Sequence, residues 1–423
     1  MPLGLYISVP FCRTKCTYCN FASEVFSKAV FQRYIDRTCD DLAQASTTAE
    51  QMSGSMERTV DSIYLGGGTP TILDISQLER LFVTIWQNFD VQPGAEITVE
   101  CAPGTLTPAV IQAFRRHHVN RVSLGVQSFV DQEASAVGRL HNRLTIHDDI
   151  TRLRDAGIVN LSLDLIAGLP HQTSQSWDFS VEQVIATQAP HVSVYMLEVD
   201  DDSRLGRELI AGGAKYHAHF VPDEDLTASL YETACDRLQD AGIHQYEISN
   251  FARPGSESCH NLKYWTRQPY LGFGVDAHSM LKVDQGYSPA SRVSPSSRAF
   301  APSVDAVRFC TPDTLEQYVA GGPLKPNVID RHTALEETFF LGLRLNRGLD
   351  LDQITNDFDL TGVIPIIHEL IQDALIERDG STIRLTARGR LLSNEVSERF
   401  LATDRVGTGA LVRPSGAELH RVS

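Results

Sequence analysis

The sequence predicts an α/β protein, an incomplete barrel of six βα units followed by a smaller α+β domain of winged-helix character. Two observations carry this. From Leu3 to Leu197, short apolar stretches alternate with helix-like ones. Beyond about residue 320 the order changes to helix, helix, hairpin and helix. A third feature says where chemistry would sit. Cys12, Cys16 and Cys19 follow the first apolar stretch directly, and α/β barrels place their sites at the ends of strands.

Leu3–Val9 reads as the first strand. Ser62–Leu65 is a short apolar strand, followed by Gly66-Gly67-Gly68-Thr69-Pro70 and a helix from about Ser76. Ala95–Cys101 is a strand, and Pro108–His117 a helix with proline in its tolerated first turn. Strands at Arg121–Val126, Asn160–Ile166 and His191–Leu197 alternate with helices at Leu144–Ala156 and Gln175–Ala186. Thr227–Asp240 is a closing helix, and polar Thr47–Glu57 is expected to be a long connection. Ala334–Leu345 and Ile364–Ala374 read as helices. Ile376–Leu385 reads as a hairpin about Asp379-Gly380, and Thr386–Phe400 as one last helix. The expected boundaries are 1–245 for the barrel, 246–325 for a connecting segment, and 326–423 for the C-terminal domain and tail. Residues 285–303 are rich in Ser and Pro and read as a loop, and the tail beyond Asp404 as poorly ordered.

A chain of 423 residues is long enough for a large core. Its net charge of −16, from 37 Lys+Arg against 53 Asp+Glu, argues against general nucleic-acid or anionic-membrane binding. No apolar run reaches the roughly 18–20 residues of a membrane span. The N-terminus shows no signal-peptide pattern. Cys39, Cys101, Cys235, Cys259 and Cys310 are scattered and read as reduced thiols. A cytoplasmic protein is expected.

The cysteines stand as Cys-x3-Cys-x2-Cys. Structural zinc wants four protein ligands, and no fourth Cys or His lies close by. A four-iron cluster can take three thiolates and leave one iron open. Ferredoxin runs use a narrower first gap. The plain alternative is three unrelated core or disulfide cysteines. The glycine run lets the backbone approach a ligand, and its free carbonyls suit an ammonium group. Glu100, Gln127 and Asp164 lie at or near the ends of successive strands. A carboxylate there suits ribose hydroxyls or an ammonium, and Arg139 suits a carboxylate. Tyr18, beside Cys19, either stacks on a ligand or packs the loop.

The cysteine spacing matches the signature of radical S-adenosylmethionine (SAM) proteins. Leu5-Tyr6-x3-Pro10-Phe11-Cys12, Gly66 to Pro70, Gly125-Val126-Gln127-Ser128 and Gly138-Arg139-x-His141 recur in order. Asp164-Leu165-Ile166-x-Gly168-Leu169-Pro170 and Leu391-Leu392-Ser393-Asn394 follow. Together they resemble the heme chaperone HemW family, from Leu3 to about Leu401. The resemblance implies a [4Fe–4S] cluster on Cys12, Cys16 and Cys19. It implies SAM contacts from Tyr6, Tyr18, Gly67, Gly68, Thr69, Glu100, Gln127, Arg139 and Asp164. In that family one electron from the cluster cleaves SAM to a 5′-deoxyadenosyl radical.

His260-Asn261-Leu262-Lys263-Tyr264-Trp265 resembles the family's His-Asn-x-x-Tyr-Trp motif, which is linked to heme. His260 then reads as an axial ligand, with Tyr264 and Trp265 stacking on the macrocycle. The competing reading is ordinary packing, and Cys259 and His278 are alternative ligands. Asp276 stands where the family usually has glycine. The implied partners are heme, heme-acceptor proteins of respiration, an electron donor such as flavodoxin or ferredoxin, and a second copy in a homodimer. The nearest rival is the oxygen-independent coproporphyrinogen III dehydrogenase. Its motif continues with a cysteine where this chain has Phe21, and its N-terminal extension is not expected here. Another radical SAM enzyme of unknown substrate is a further alternative, and a winged-helix regulator is disfavoured by charge.

Overall fold

A computed structural model describes residues 1–283 and 304–401 of the protein. The expectations for the Ser/Pro-rich loop at 285–303 and for the tail beyond Asp404 lie outside the described residues. Six strands follow one another in space as in sequence. They are β1 (Leu3–Val9), β2 (Thr59–Gly67), β3 (Asp90–Cys101), β4 (Arg121–Gln127), β5 (Asn160–Ala167) and β6 (His191–Met196). Every neighbouring pair among them is parallel. Their buried faces are runs of Leu, Ile and Val, as strands covered on both sides require.

The arc does not close. β7 (His244–Glu247) and β8 (Asn250–Ala252) continue it beyond β6, antiparallel. On the other side β9 (Tyr270–Phe273) runs parallel to β1. β10 (His278–Lys282), β11 (Val304–Cys310) and β12 (Lys325–Asp330) then add on antiparallel. Among the described residues these strands form one twelve-stranded sheet. The stretch 246–325, expected as a connecting segment, therefore carries strands that lengthen both ends of the sheet. β8 and β9 attach to β6 and β1, partners distant in sequence, and β7 to β10 have only three to five residues each, too few for a clear period.

Two helices lie between β1 and β2, one over residues for which no element was expected and one within an expected connection. Phe31–Ala43 buries Phe31, Tyr34, Ile35, Thr38, Cys39 and Leu42 on one face, a spacing of three to four. Ala45–Gln51 is also helical, inside the stretch expected to be a long connection. It inserts only Ala45 and Ala49 into the core, and its Ser and Thr residues hide the pattern.

The C-terminal domain contains the helices Arg331–Gly342, Leu351–Ile354 and Ile364–Gln372. A three-stranded antiparallel sheet of β13 (Leu349–Asp350), β14 (Ile376–Asp379) and β15 (Thr382–Leu385) accompanies them. The expected single helix Thr386–Phe400 is two, Ala387–Leu391 and Ser393–Leu401. Each packs on a different neighbour. The first is capped by Thr386 at the end of β15, and Phe400 of the second stacks on Phe339 at 4.9 Å.

Charge ties the two parts together. Buried Glu337 of Arg331–Gly342 accepts from Arg267 Nε at 3.0 Å and pairs with Arg308 on β11 at 2.8 Å. Arg267 also pairs with Asp305 at 2.9 Å. Removing one member strands the others in a low-dielectric site. Glu337→Ala is expected to lower stability by about 3–5 kcal/mol, read as the shift of the urea unfolding midpoint. An unshifted midpoint would show that this network does not hold the domain.

Candidate functional site

The loop after β1 is fastened on every side by backbone bonds. Cys12 N–H donates to the Glu24 carbonyl at 3.1 Å, Thr17 N–H to Val137 at 3.2 Å and Cys19 N–H to Cys16 at 3.3 Å. Phe11 is buried and stacks on Phe31 at 3.9 Å. The glycine run after β2 leans on the same loop. Gly68 N–H donates to Val9 at 2.9 Å and Thr69 N–H to Phe11 at 2.8 Å. A Cβ on Gly68 would lie 2.7 Å from the Val9 carbonyl oxygen, and Gly67 has φ +95°. Both positions need glycine.

Cys12, Cys16 and Cys19 are half-buried and line one cavity of about 410 Å³. Among the described residues no three His, Cys, Asp or Glu side chains converge as a site for a metal ion. The donor set is three sulfurs without nitrogen or oxygen. A cluster of several irons spreads its ligands wider than one ion does, so this set suits an iron–sulfur cluster better than zinc. Burial holds the Cys12 and Cys19 thiols above the ordinary thiol range.

The same cavity collects Tyr18, Gly67, Gly68, Thr69, Glu100, Gln127, Arg139 and Asp164, all expected from the sequence as contacts for one ligand. Glu100 accepts the Tyr64 hydroxyl at 2.8 Å and the Gly67 N–H at 3.1 Å. Asp164 accepts from Ser123 at 3.2 Å. Arg139 donates to Cys16 Sγ at 3.6 Å and to the Gly125 carbonyl. Thr69 Oγ1 stands 3.8 Å from Cys12 Sγ. Gln127 has φ +67°, and its buried Oε1 has no partner among the described residues. An orphaned acceptor on a cavity wall is a place for a ligand donor. Burial lifts the Glu100 carboxyl to about 7, against the Tyr64 hydrogen bond and with help from the Asp164 charge. Burial also raises Asp164, and the Ser193 and Ser123 hydroxyls oppose it. Tyr64 and Ser123 were not singled out from the sequence. They become visible only as partners of the two carboxylates.

Tyr6 lies beside this set, in a smaller recess of about 80 Å³ that it shares with Gly67, Glu100, His260 and Tyr264. There the structure departs from the simplest reading of the His-Asn-x-x-Tyr-Trp motif. His260 is buried, with Nδ1 at 3.0 Å from Ser62 Oγ and Nε2 at 2.8 Å from the Tyr264 hydroxyl. Its ring stacks on Tyr64 at 5.4 Å. Burial pushes its pKa down to about 3, with the Lys263 charge adding, so the ring is neutral. Both nitrogens are engaged, and axial ligation would require breaking one of these bonds. Trp265 does not join His260 on a shared face. It packs under the Arg344 guanidinium at 4.2 Å. Cys259 is exposed at the start of the helix Cys259–Trp265. The carboxylate of Glu96, on β3, holds that helix start. It accepts from the N–H groups of Cys259 and His260, both at 3.0 Å, and from Ser258 Oγ at 3.2 Å. An anion at a helix N-terminus is stabilising.

Comparisons with known proteins agree with this geometry. A family model of the radical SAM superfamily matches residues 6–184, and one of the HemN C-terminal domain matches 329–392. Heme chaperone HemW of Lactococcus lactis is 32% identical over 412 residues, covering 95% of this chain and 98% of that protein. Heme chaperone HemW of Bacillus subtilis is 32% identical over 94% of this chain and 98% of its own length. Coproporphyrinogen III oxidase (HemN) from Escherichia coli, described as a radical SAM enzyme, superposes with a TM-score of 0.76. It covers 94% of this chain and 90% of its own at 23% identity, a likeness that shows the fold. Among the described residues no helix is long and apolar enough to cross a membrane. By near-complete coverage at this level of identity, the chain belongs to the heme chaperone HemW family.

Proposed function

We propose that this protein is a radical SAM-type heme chaperone, which binds heme and passes it to acceptor hemoproteins such as those of respiration. The observation that carries the reading is the match along the full length to heme chaperones, joined to a cysteine loop with three thiols. In this reading Cys12, Cys16 and Cys19 hold a [4Fe–4S] cluster. When bound, the cluster offers one iron without a protein thiolate, to which SAM's amino and carboxylate groups can attach. Glu100 and the glycine run would face the N–H groups of the methionyl amine, Arg139 a carboxylate, and Asp164 the ribose. Tyr18 would pack against the adenine, Gln127 would accept a bond through its orphaned oxygen, and Tyr6 would close the site from the neighbouring recess. A flavodoxin or ferredoxin would supply electrons, a homodimer would be the working form, and the cytoplasm the place.

The second reading is coproporphyrinogen III oxidation, favoured by the fold likeness to the E. coli oxidase. Against it stands Phe21, half-exposed at the rim of the cavity. In the dehydrogenase that position would carry a further thiol.

Replacing Cys12, Cys16 and Cys19 together by Ala is expected to abolish the iron–sulfur absorbance of anaerobically reconstituted protein. Replacing Cys39, Cys101, Cys235 and Cys310 should leave it intact. Cluster loss in the second variant alone would overturn the ligand assignment.

For SAM, Asp164→Ala or Arg139→Ala is expected to cost about 1–3 kcal/mol of binding in calorimetry, the scale of a charged hydrogen bond. The Glu100 carboxyl stays protonated in the fold up to about 7, above the 4.5 of an ordinary glutamate. Its contribution to stability is therefore present at low pH and lost as pH rises through this window. Amine N–H donors and the sulfonium charge of bound SAM reverse the preference, because both favour the ionised carboxylate. SAM should bind more tightly as pH rises from about 6 to 8, and Glu100→Gln should flatten that slope. A flat wild-type profile would remove Glu100 from the amino-group site.

For heme, purified protein should show a Soret band on titration and should not convert coproporphyrinogen III, even with SAM and a reductant. Product formation would move the protein to the oxidase class. His260→Ala tests ligation at the motif. An unchanged Soret band would locate the iron ligand elsewhere, and a shifted one would assign it to His260.

A further inference from the structure

We infer that the end of the main cavity bordered by the C-terminal domain is a carboxylate-binding subsite, with Arg344 and Arg390 as its anion-binding side chains. This rests on the heme-binding reading and names the part of the ligand that is gripped. The cavity lining carries both signs of charge. Glu100 and Asp164 stand with Arg13, Lys15 and Arg139 toward the thiols, and the C-terminal domain contributes Arg344, Arg390 and Asn394. In a chain of net charge −16, two arginines turned to a cavity call for a reason other than surface solvation.

Neither guanidinium is fully used by the protein. Arg344 lies 4.2 Å above the Trp265 ring and donates through one nitrogen to the buried Glu247 at 3.3 Å. Its buried Nε–H has no partner among the described residues. Trp265 and Glu247 thus hold the fork in one orientation. Arg390 donates to the Leu385 carbonyl at 3.2 Å and has no ion pair among the described residues. A guanidinium carries five N–H donors in a plane that matches a carboxylate.

The rest of the lining says what carries the carboxylates. Phe21 and Leu140 line the same cavity while remaining 45% and 69% exposed. Apolar side chains and arginines with spare N–H donors in one cavity fit an amphipathic anion, a flat hydrophobic body with carboxylate arms. The propionates of heme meet that description. A volume of about 410 Å³ is near the lower end for small-molecule sites. With SAM at the thiol end, a tetrapyrrole would extend to the end lined by the C-terminal domain. Trp265 would then serve heme by positioning Arg344 and not by stacking on the macrocycle.

The test titrates the full chain with hemin and with hemin dimethyl ester, whose propionates are blocked, and follows absorbance. Arg390→Gln is one variant. Arg344→Lys is the other, because it keeps a cation beside Glu247, whose carboxylate would otherwise be buried unpaired. Wild type is expected to bind hemin about tenfold more tightly than the ester, the scale of a charge-assisted hydrogen bond. Each variant should weaken hemin by several-fold, leave the ester unchanged, and leave SAM affinity unchanged. Equal discrimination against the ester in wild type and variants would overturn the subsite. So would a parallel loss of SAM affinity, since the arginines would then shape the whole cavity. Absence of saturable hemin binding by wild type would instead overturn the chaperone reading, and the subsite with it.

Discussion

The site depends on a backbone clasp between two strand-end loops. Gly68 and Thr69 donate to the carbonyls of Val9 and Phe11, so the glycine run and the cysteine loop are locked edge to edge. The clasp leaves no room for a Cβ at Gly68. It sets the three thiols and the glycine backbone on one cavity wall before any ligand arrives. A preformed wall reduces the ordering that binding must impose.

Around the clasp, buried carboxylates do the positioning. Glu100 is held by Tyr64 and Gly67, Asp164 by Ser123, Glu96 by the start of the helix Cys259–Trp265, and Glu247 by Arg344. Each joins elements far apart in sequence, and each is costly to leave unpaired. The same pattern repeats at Glu337, where charge fastens the C-terminal domain to the sheet extension. That domain is therefore placed firmly enough to contribute Arg344 and Arg390 to a wall that begins at the cysteines.

The aromatic recess links the two motifs that the sequence keeps apart. Tyr6, Tyr64, His260 and Tyr264 are neighbours there, with Tyr64 reaching Glu100 through its hydroxyl. A neutral His260 bonded at both nitrogens fits a packed interior. The motif so touches the cavity lining at two places, Tyr64 through His260 and Arg344 through Trp265.

Much of this was legible in the sequence. The six parallel strands, the helices between them and the C-terminal hairpin show period and punctuation that belong to local chain geometry. Cys12, Cys16 and Cys19 lie within one loop, so their spacing alone brought them together. Glu100, Gln127 and Asp164 could be placed because the ends of successive parallel strands share one face. What the sequence left undetermined was pairing over long separations. The strands β8 and β9 have three and four residues and join the sheet at β6 and β1, far away in sequence, so no periodicity marked them. The helix Ala45–Gln51 buries only alanines, which carry little pattern. The bonds of His260 to Ser62 and Tyr264, the stacking of Trp265 under Arg344, and the unpaired donors of Arg344 and Arg390 depend on side chains brought together across the fold. They were decided by tertiary structure, because a hydrogen bond or an ion pair is set by distance in space and leaves no trace in the spacing of residues along the chain.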